Sequence, residues 1–212
     1  MKPKQFETQY AEKNAYFNTH AHNWDEEVGN DAERDKKLAA IFERIECKEG
    51  FRVLDIGCGN GILFNHILNR IGSTGELVAV DAASEMIHKA SEKFKEKKNI
   101  VFKNACIEEL DEQESSFDLI VAFAVFPHIE DKVAALQKMR SLLKETGRLY
   151  IFHTSDTASL NHFHSHLAAS SVSKDMMPYW EELEQLIKAG RFTVKEYIDQ
   201  PGLNFTEAHP CT

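Results

Sequence analysis

The sequence predicts an α/β fold: a mostly parallel, seven-stranded sheet with helices on both faces and an antiparallel hairpin at its C-terminal edge. Three observations lead there. Apolar runs of strand length alternate with amphipathic segments between residues 53 and 153. The first of these runs, VLDIGCGNG at 53–61, ends in a loop with glycine at every second position and is followed by a helical pattern. Near the C-terminus, two short runs, 192–198 and 203–208, flank Pro201 and Gly202 as the arms of a hairpin would.

The 212 residues suffice for one sizeable core and are few for two, so a single domain is expected over 1–212. Within it the sequence divides into an N-terminal helical lid (1–48), a core (49–153), an insertion (154–178), and a last helix with the closing hairpin (179–212). The formal charge of −9 sets an unfavourable field for a polyanion. The lysines at 93–98 alternate with glutamate as on a solvated helix face, and no nucleic-acid partner is expected. The N-terminal segment MKPKQFETQY has no apolar h-region, and the apolar run at 119–126 is far too short to span a bilayer. The expectation is a soluble, cytoplasmic protein without a membrane partner. Cys47, Cys58, Cys106 and Cys211 form no C-x-x-C pair, so reduced thiols are expected rather than a zinc ribbon or disulfide framework.

Taken in order, the first segment is polar from Phe6 to about Val28, with Tyr10, Tyr16, Phe17 and Trp24 among its aromatics. A second helix is expected from Asp31, a plausible N-cap, to about Glu46, with Leu38, Ile41, Phe42 and Ile45 at helical spacing. After the glycine loop, a helix over 62–71 carries Phe64, Ile67, Leu68 and Ile71 on one face, and Gly72 stops it. The second strand is read at 76–80. A helix then runs from Ser84 to about Lys97, and a third strand begins at 99–102. The run FDLIVAFAVFPHI at 117–129 is apolar enough for a strand buried on both faces, which ends at Ala122 and Phe123. A helix over 131–144, with Val133, Leu136, Met139 and Leu143 inward, leads through a turn to a fifth strand ending at His153. From His153 to Pro178 the periodicity lapses. Pro178 suits the first turn of the last helix, which passes Leu183 and Ile187 and stops at Gly190.

The glycine loop limits its ligand. Gly57, Gly59 and Gly61 let a ligand approach main-chain N–H groups at the start of a helix. A dinucleotide fingerprint, G-x-G-x-x-G, would put its third glycine at position 62, whereas here it falls at Gly61. Asp55, two residues before the loop, repels a phosphate and welcomes an ammonium. The preferred ligand is therefore zwitterionic.

Asp55, Gly57, Gly59 and Gly61, followed by VAVD ending at Asp81, resemble the first two motifs of class I S-adenosylmethionine-dependent methyltransferases. That resemblance covers most of the chain and implies a Rossmann-like seven-stranded sheet. It also implies a glycine loop against the methionine end of S-adenosyl-L-methionine, and Asp81 on the ribose hydroxyls. Carried over residue by residue, it gives a cofactor site of Asp55, Gly57, Cys58, Gly59, Asn60, Gly61, Asp81, Ala82, Met86, Cys106, Ile107, Ala122 and Phe123. Cys106 stands where the family usually has an Asp beside the adenine, and Asn104 is a candidate substitute. N-terminal helices often cover the cofactor in this family, which makes Tyr16, Phe17 and Trp24 candidate lid residues. The absence of an N-P-P-[YFW]-like segment after the fourth strand speaks against amino-group methylation of DNA or protein glutamine. FAVFPHI instead resembles small-molecule methyltransferases, including those of quinone biosynthesis.

Methyl transfer from a sulfonium is an in-line displacement that asks the enzyme for positioning and, with an O–H, N–H or acidic C–H nucleophile, a base. His128 and His153, at the mouths of strands four and five, are the catalytic candidates. His162, His164 and His166 invite a metal reading, either with alternate residues on an extended face or with His162 and His166 on one helical face. No Cys or Glu accompanies them at ligand spacing, and no metal is expected. A small-molecule methyl acceptor is the expected partner, with its O, N or C nucleophile open and monomer and homodimer both open. A non-catalytic cofactor-binding module and a nicotinamide oxidoreductase are the competing readings.

Overall fold

Strands form where the sequence alternates small and branched apolar residues. In the computed structural model, which describes residues 4–24, 32–167 and 171–211, all seven join one sheet. They are β1 (Arg52–Ile56), β2 (Glu76–Asp81), β3 (Ile100–Asn104), β4 (Phe117–Phe123), β5 (Leu143–His153), β6 (Phe192–Gln200) and β7 (Leu203–Pro210). Their order is β3-β2-β1-β4-β5-β7-β6, parallel throughout except that β7 runs antiparallel to both β5 and β6. The hairpin expected at the C-terminus therefore inserts its second arm next to β5.

Each strand sends alternate residues to opposite faces. Leu54, Ile56, Val78, Val80, Ile120 and Ile151 pack on one face with α5 (Lys132–Leu142) and α7 (Trp180–Ala189). Val53, Leu77, Ala79, Leu119, Val121 and Phe152 pack on the other. That second face carries α2 (Ala32–Phe42) and α3 (Phe64–Ile71), and α4 (Ser84–Lys93) contributes Ala90 to it. Ahead of them lies α1 (Lys4–His20), and α6 (Thr157–Ser165) follows β5.

Several boundaries differ from the sequence reading, each for a local reason. α3 starts at Phe64, not 62, because the chain from 58 to 63 is spent in turns, with the Gly61 N–H donating to the Cys58 carbonyl at 3.0 Å. Its four inward residues are buried as expected, and Gly72 ends it at φ +65°. α4 stops at Lys93 because Phe94 leaves helical geometry and tucks against Phe64, ring centroids 4.8 Å apart. α5 is capped by Asp131, whose side chain accepts from the Ala134 N–H, and it buries Ala135, Leu136, Met139 and Leu142. Val133 is only half-buried, and Leu143 already belongs to β5, which pairs with Phe117, so no separate turn precedes that strand. Pro178 lies before the helix it was expected to open, since Tyr179 is the N-cap of α7. Asp31, the expected cap of α2, and Val28 lie outside the described residues.

The stretch read as aperiodic after His153 contains α6. Asp156 caps it, accepting from both the Ser159 N–H and the Ser159 hydroxyl. Among the described residues, no helix is long and apolar enough to cross a membrane.

Candidate active site

The strand order reverses between β1 and β4, and at such a point the two crossovers leave on opposite faces and open a crevice at the carboxyl ends of the strands. There the structure has a cavity of about 560 Å³, a size that holds a nucleoside-bearing cofactor and a small second molecule. Its floor is the glycine loop and the ends of β2, β4 and β5, and its roof is α1 with Trp24.

The three loop glycines serve different ends, although all have positive φ. A Cβ on Gly57 would stand 2.3 Å from Val125 Cγ2, and one on Gly61 would stand 2.8 Å from the Phe64 ring and 2.9 Å from Phe94. These two let neighbouring side chains pack. A Cβ on Gly59 would meet nothing nearer than Trp24 Nε1 at 3.9 Å. Its open side is the cavity.

Asp81 closes β2 and holds the loop. Its Oδ2 accepts from the Gly59 N–H at 2.9 Å and its Oδ1 from the Ala83 N–H at 2.8 Å. Burial raises its pKa, against the lowering effect of those two donors and of His128. Asn104, a candidate adenine partner in the sequence, is committed elsewhere: its amide donates to the carbonyls of Asp81 and Ala82 at 2.9 Å each. It braces the turn that presents Asp81. We expect Asp81→Ala to weaken S-adenosylhomocysteine binding by roughly 1.5–3 kcal/mol in calorimetry, through lost ribose hydrogen bonds and a loosened loop. Unchanged affinity would remove Asp81 from the ribose site.

Of the other expected cofactor residues, Cys58, Asn60, Ala82, Met86, Cys106, Ile107 and Phe123 line the cavity together with Gly57 and Gly59. Asp55, Gly61 and Ala122 do not. Ala122 is fully buried within β4, and Gly61 is covered by the two phenylalanines. Asp55 lies beneath the loop, 1% exposed, with Oδ2 unpartnered among the described residues. Burial, with Asp81 adding to it, pushes its pKa well up, so it does not stand on the wall as an open carboxylate for an ammonium.

The roof also differs in phase from the sequence reading. Tyr10, Lys13, Asn14 and Phe17, spaced as one helical face, line the cavity, whereas Tyr16 turns away onto His20 with ring centroids 4.1 Å apart. Phe17 and Trp24 meet edge to face at 5.8 Å, and both line the cavity as expected. Tyr10 donates its hydroxyl to Glu108. The 3–4 spacing of Tyr10, Lys13, Asn14 and Phe17 was the signal in the sequence that separates them from Tyr16.

On the β4–β5 side, His128 and His153 both line the cavity. His128 Nδ1 is 2.7 Å from Asp175 Oδ2, and Phe17 packs edge to face on its ring. His153 is 3% exposed and its Nε2 has no partner among the described residues. Burial, with His128 and His164 adding to it, lowers its pKa to about 3. An unfolded chain with an ordinary histidine near 6.5 takes up a proton that folded His153 refuses. Its contribution to stability is therefore complete above pH 6.5 and is lost progressively toward pH 3. At pH 5 that loss is about 2 kcal/mol. Denaturant unfolding of wild type and His153→Gln from pH 7.5 to 4.5 checks it: the difference between them should shrink or reverse as pH falls, and a constant difference would refute the assignment.

The histidine run takes the helical alternative. His162 and His166 share an exposed face with ring centroids 4.3 Å apart, while His164 points inward and its Nδ1 meets the Asp175 carbonyl. Among the described residues, no three His, Cys, Asp or Glu side chains come together as a metal-ligand group.

Residues 47–197 match the family described as a methyltransferase domain. The chain belongs to that family. A ubiquinone biosynthesis O-methyltransferase of Rhodopseudomonas palustris (strain TIE-1) is 30% identical over 148 residues, 68% of this chain and 54% of that protein. A demethylmenaquinone methyltransferase of Staphylococcus aureus is 28% identical over 115 residues, 54% of this chain and 48% of its own. The chain thus spans about half the length of these curated relatives. Among solved structures, a SAM-dependent methyltransferase from Aquifex aeolicus superposes with a TM-score of 0.73 at 18% identity, covering 90% of this chain and 97% of that one. A Haemonchus contortus phosphoethanolamine N-methyltransferase, solved with phosphomonomethylethanolamine and S-adenosylhomocysteine, gives 0.73 at 16% identity, covering 96% and 59%. These two likenesses concern the fold.

The cofactor of this methyltransferase is S-adenosylmethionine, and the cavity fits it. Gly59 leaves open space on the cavity side, the Asp81 carboxylate stands at the β2 end, and Met86 and Ile107 supply apolar wall.

Proposed function

We propose that the chain transfers a methyl group from S-adenosylmethionine to a hydroxyl of a small, largely apolar molecule. One observation carries this reading: a single cavity joins the Gly59–Asp81 floor to His128 and His153 under a roof that includes Phe17 and Trp24. When bound, S-adenosylmethionine supplies an electrophilic methyl on a sulfonium. Gly59 and Asp81 hold it by backbone and carboxylate, and Phe17 and Trp24 cover the site against water. His128 takes the acceptor's hydroxyl proton on Nε2 as the oxygen attacks. His153, kept neutral by burial, lines the same cavity beside it. Phe163, 60% exposed on α6, stands at the mouth of the acceptor side. Residues 1–48 act as the lid and 154–178 as the acceptor-side wall. The chain's likeness to ubiquinone biosynthesis O-methyltransferases supports an oxygen nucleophile in the acceptor.

Calorimetry with S-adenosylmethionine, S-adenosylhomocysteine and NAD tests the first half. Binding of the first two on the micromolar scale, about −8 kcal/mol, is expected, with none for NAD. Transfer of labelled methyl to a panel of hydroxylated aromatic compounds tests the second. Binding without transfer to hydroxyl, amine or carbon acceptors would leave a binding module.

A further inference from the structure

Three segments distant in sequence meet behind His128. From α1 comes Lys13, whose ammonium lies 2.6 Å from Asp175 Oδ1 and 2.5 Å from Glu130 Oε1, and donates to the His128 carbonyl at 3.2 Å. From the segment between α6 and α7 comes Asp175, whose other oxygen, Oδ2, faces His128 Nδ1 at 2.7 Å. His164 of α6 fastens the same segment by placing its Nδ1 against the Asp175 carbonyl. Lys13 and Asp175 are 6% and 7% exposed, so neither charge is stabilised by bulk water and each depends on the other. Burial acts to raise the Asp175 pKa, but His128 and Lys13 outweigh it and hold the carboxyl below its ordinary range.

We propose that Asp175, locked by Lys13, is the positioning residue of His128: it fixes the imidazole as the Nδ1–H tautomer and so presents a free Nε2 lone pair to the acceptor cavity. The chemistry of the partners leads there. A carboxylate within hydrogen-bond distance of a ring nitrogen demands a proton on that nitrogen, and in a neutral imidazole the other nitrogen is then an acceptor. Nε2 has no partner among the described residues, and His128 lines the cavity whereas Asp175 does not. Asp175 therefore acts through the histidine and touches no ligand itself. Because Lys13 belongs to α1, the helix that roofs the cavity also supplies the cation that seats the carboxylate. A base in the productive tautomer is assembled only where α1 is docked.

This inference rests on His128 as the base, yet the tautomer is measured without turnover, so the two readings fail separately. Long-range nitrogen–proton correlation spectra of ¹⁵N-histidine-labelled protein at pH 8.5, with His128 assigned by its loss in His128→Gln, report which ring nitrogen carries the proton. The expected wild-type pattern is protonated Nδ1 and bare Nε2. Asp175→Ala should move His128 to a mixture dominated by Nε2–H, the form imidazole prefers in water. His164→Phe, which loosens the same segment but spares the carboxylate, should keep the Nδ1–H form. An Nε2–H or doubly protonated His128 in wild type overturns the proposal. So does an Nδ1–H form that survives Asp175→Ala or is lost equally in His164→Phe. The wild-type spectrum decides alone should Asp175→Ala not fold.

Discussion

Replacing Gly59 by valine should abolish binding of S-adenosylhomocysteine, a loss of more than about 100-fold or 3 kcal/mol, in a protein that still folds. Position 59 has φ +53°, where a β-branched residue is strained by about 1–2 kcal/mol. That cost is small beside the stability of a typical domain. A Cβ there would meet nothing nearer than Trp24 Nε1 at 3.9 Å, so the backbone itself is not crowded by the substitution. The added methyls project into the space the ligand needs. Gly57→Ala and Gly61→Ala are poor probes by comparison, because their Cβ atoms would run into Val125, Phe64 and Phe94 and damage the fold first. Calorimetry beside circular dichroism reads the result. Retained affinity in a folded Gly59→Val protein would move the cofactor off this loop.

His128→Ala should lower single-turnover methyl transfer to a hydroxyl acceptor by about 10²–10⁴-fold while changing S-adenosylhomocysteine affinity little. The reason is division of labour along the cavity. The Gly59–Asp81 floor lies at the β1 and β2 ends of the cavity, and His128 stands beyond β4 with Nδ1 occupied by Asp175. Removing the imidazole would delete the proposed proton acceptor and leave the floor intact. His153 is the weaker candidate for that role, because a histidine held at a pKa of about 3 has little appetite for a proton at neutral pH. A His128→Ala enzyme with full turnover would mean that the acceptor ionises without help from this side chain.

Much of the sheet was legible because its signals are local. VLDIG, ELVAVD and FDLIVAF are apolar runs of strand length bounded by turn chemistry, and the glycine loop with Asp81 sits at fixed spacing along the chain. Gly72, Asp131 and the Pro201-Gly202 turn are likewise punctuation that acts within a few residues. α6 was missed although Asp156 and Ser159 make its cap, because a short helix rich in Ser, Asn and His shows little apolar periodicity.

Sequence by itself determined the seven strands, the parallel core with its closing hairpin, and the residue types at the cavity floor. Each follows from periodicity, glycine and capping, which act between near neighbours. Only the tertiary structure showed which glycine has open space around its missing Cβ, because that space is bounded by Val125, Phe64, Phe94 and Trp24. It alone decided that β7 lies between β5 and β6, and that Tyr10 and Lys13 rather than Tyr16 face the cavity. Lys13, His128 and Asp175 come from three segments as much as 162 positions apart, and no sequence window spans them. Burial makes that contact matter, since charges removed from water must find each other, and which charges are buried is settled only when the helices close over the sheet.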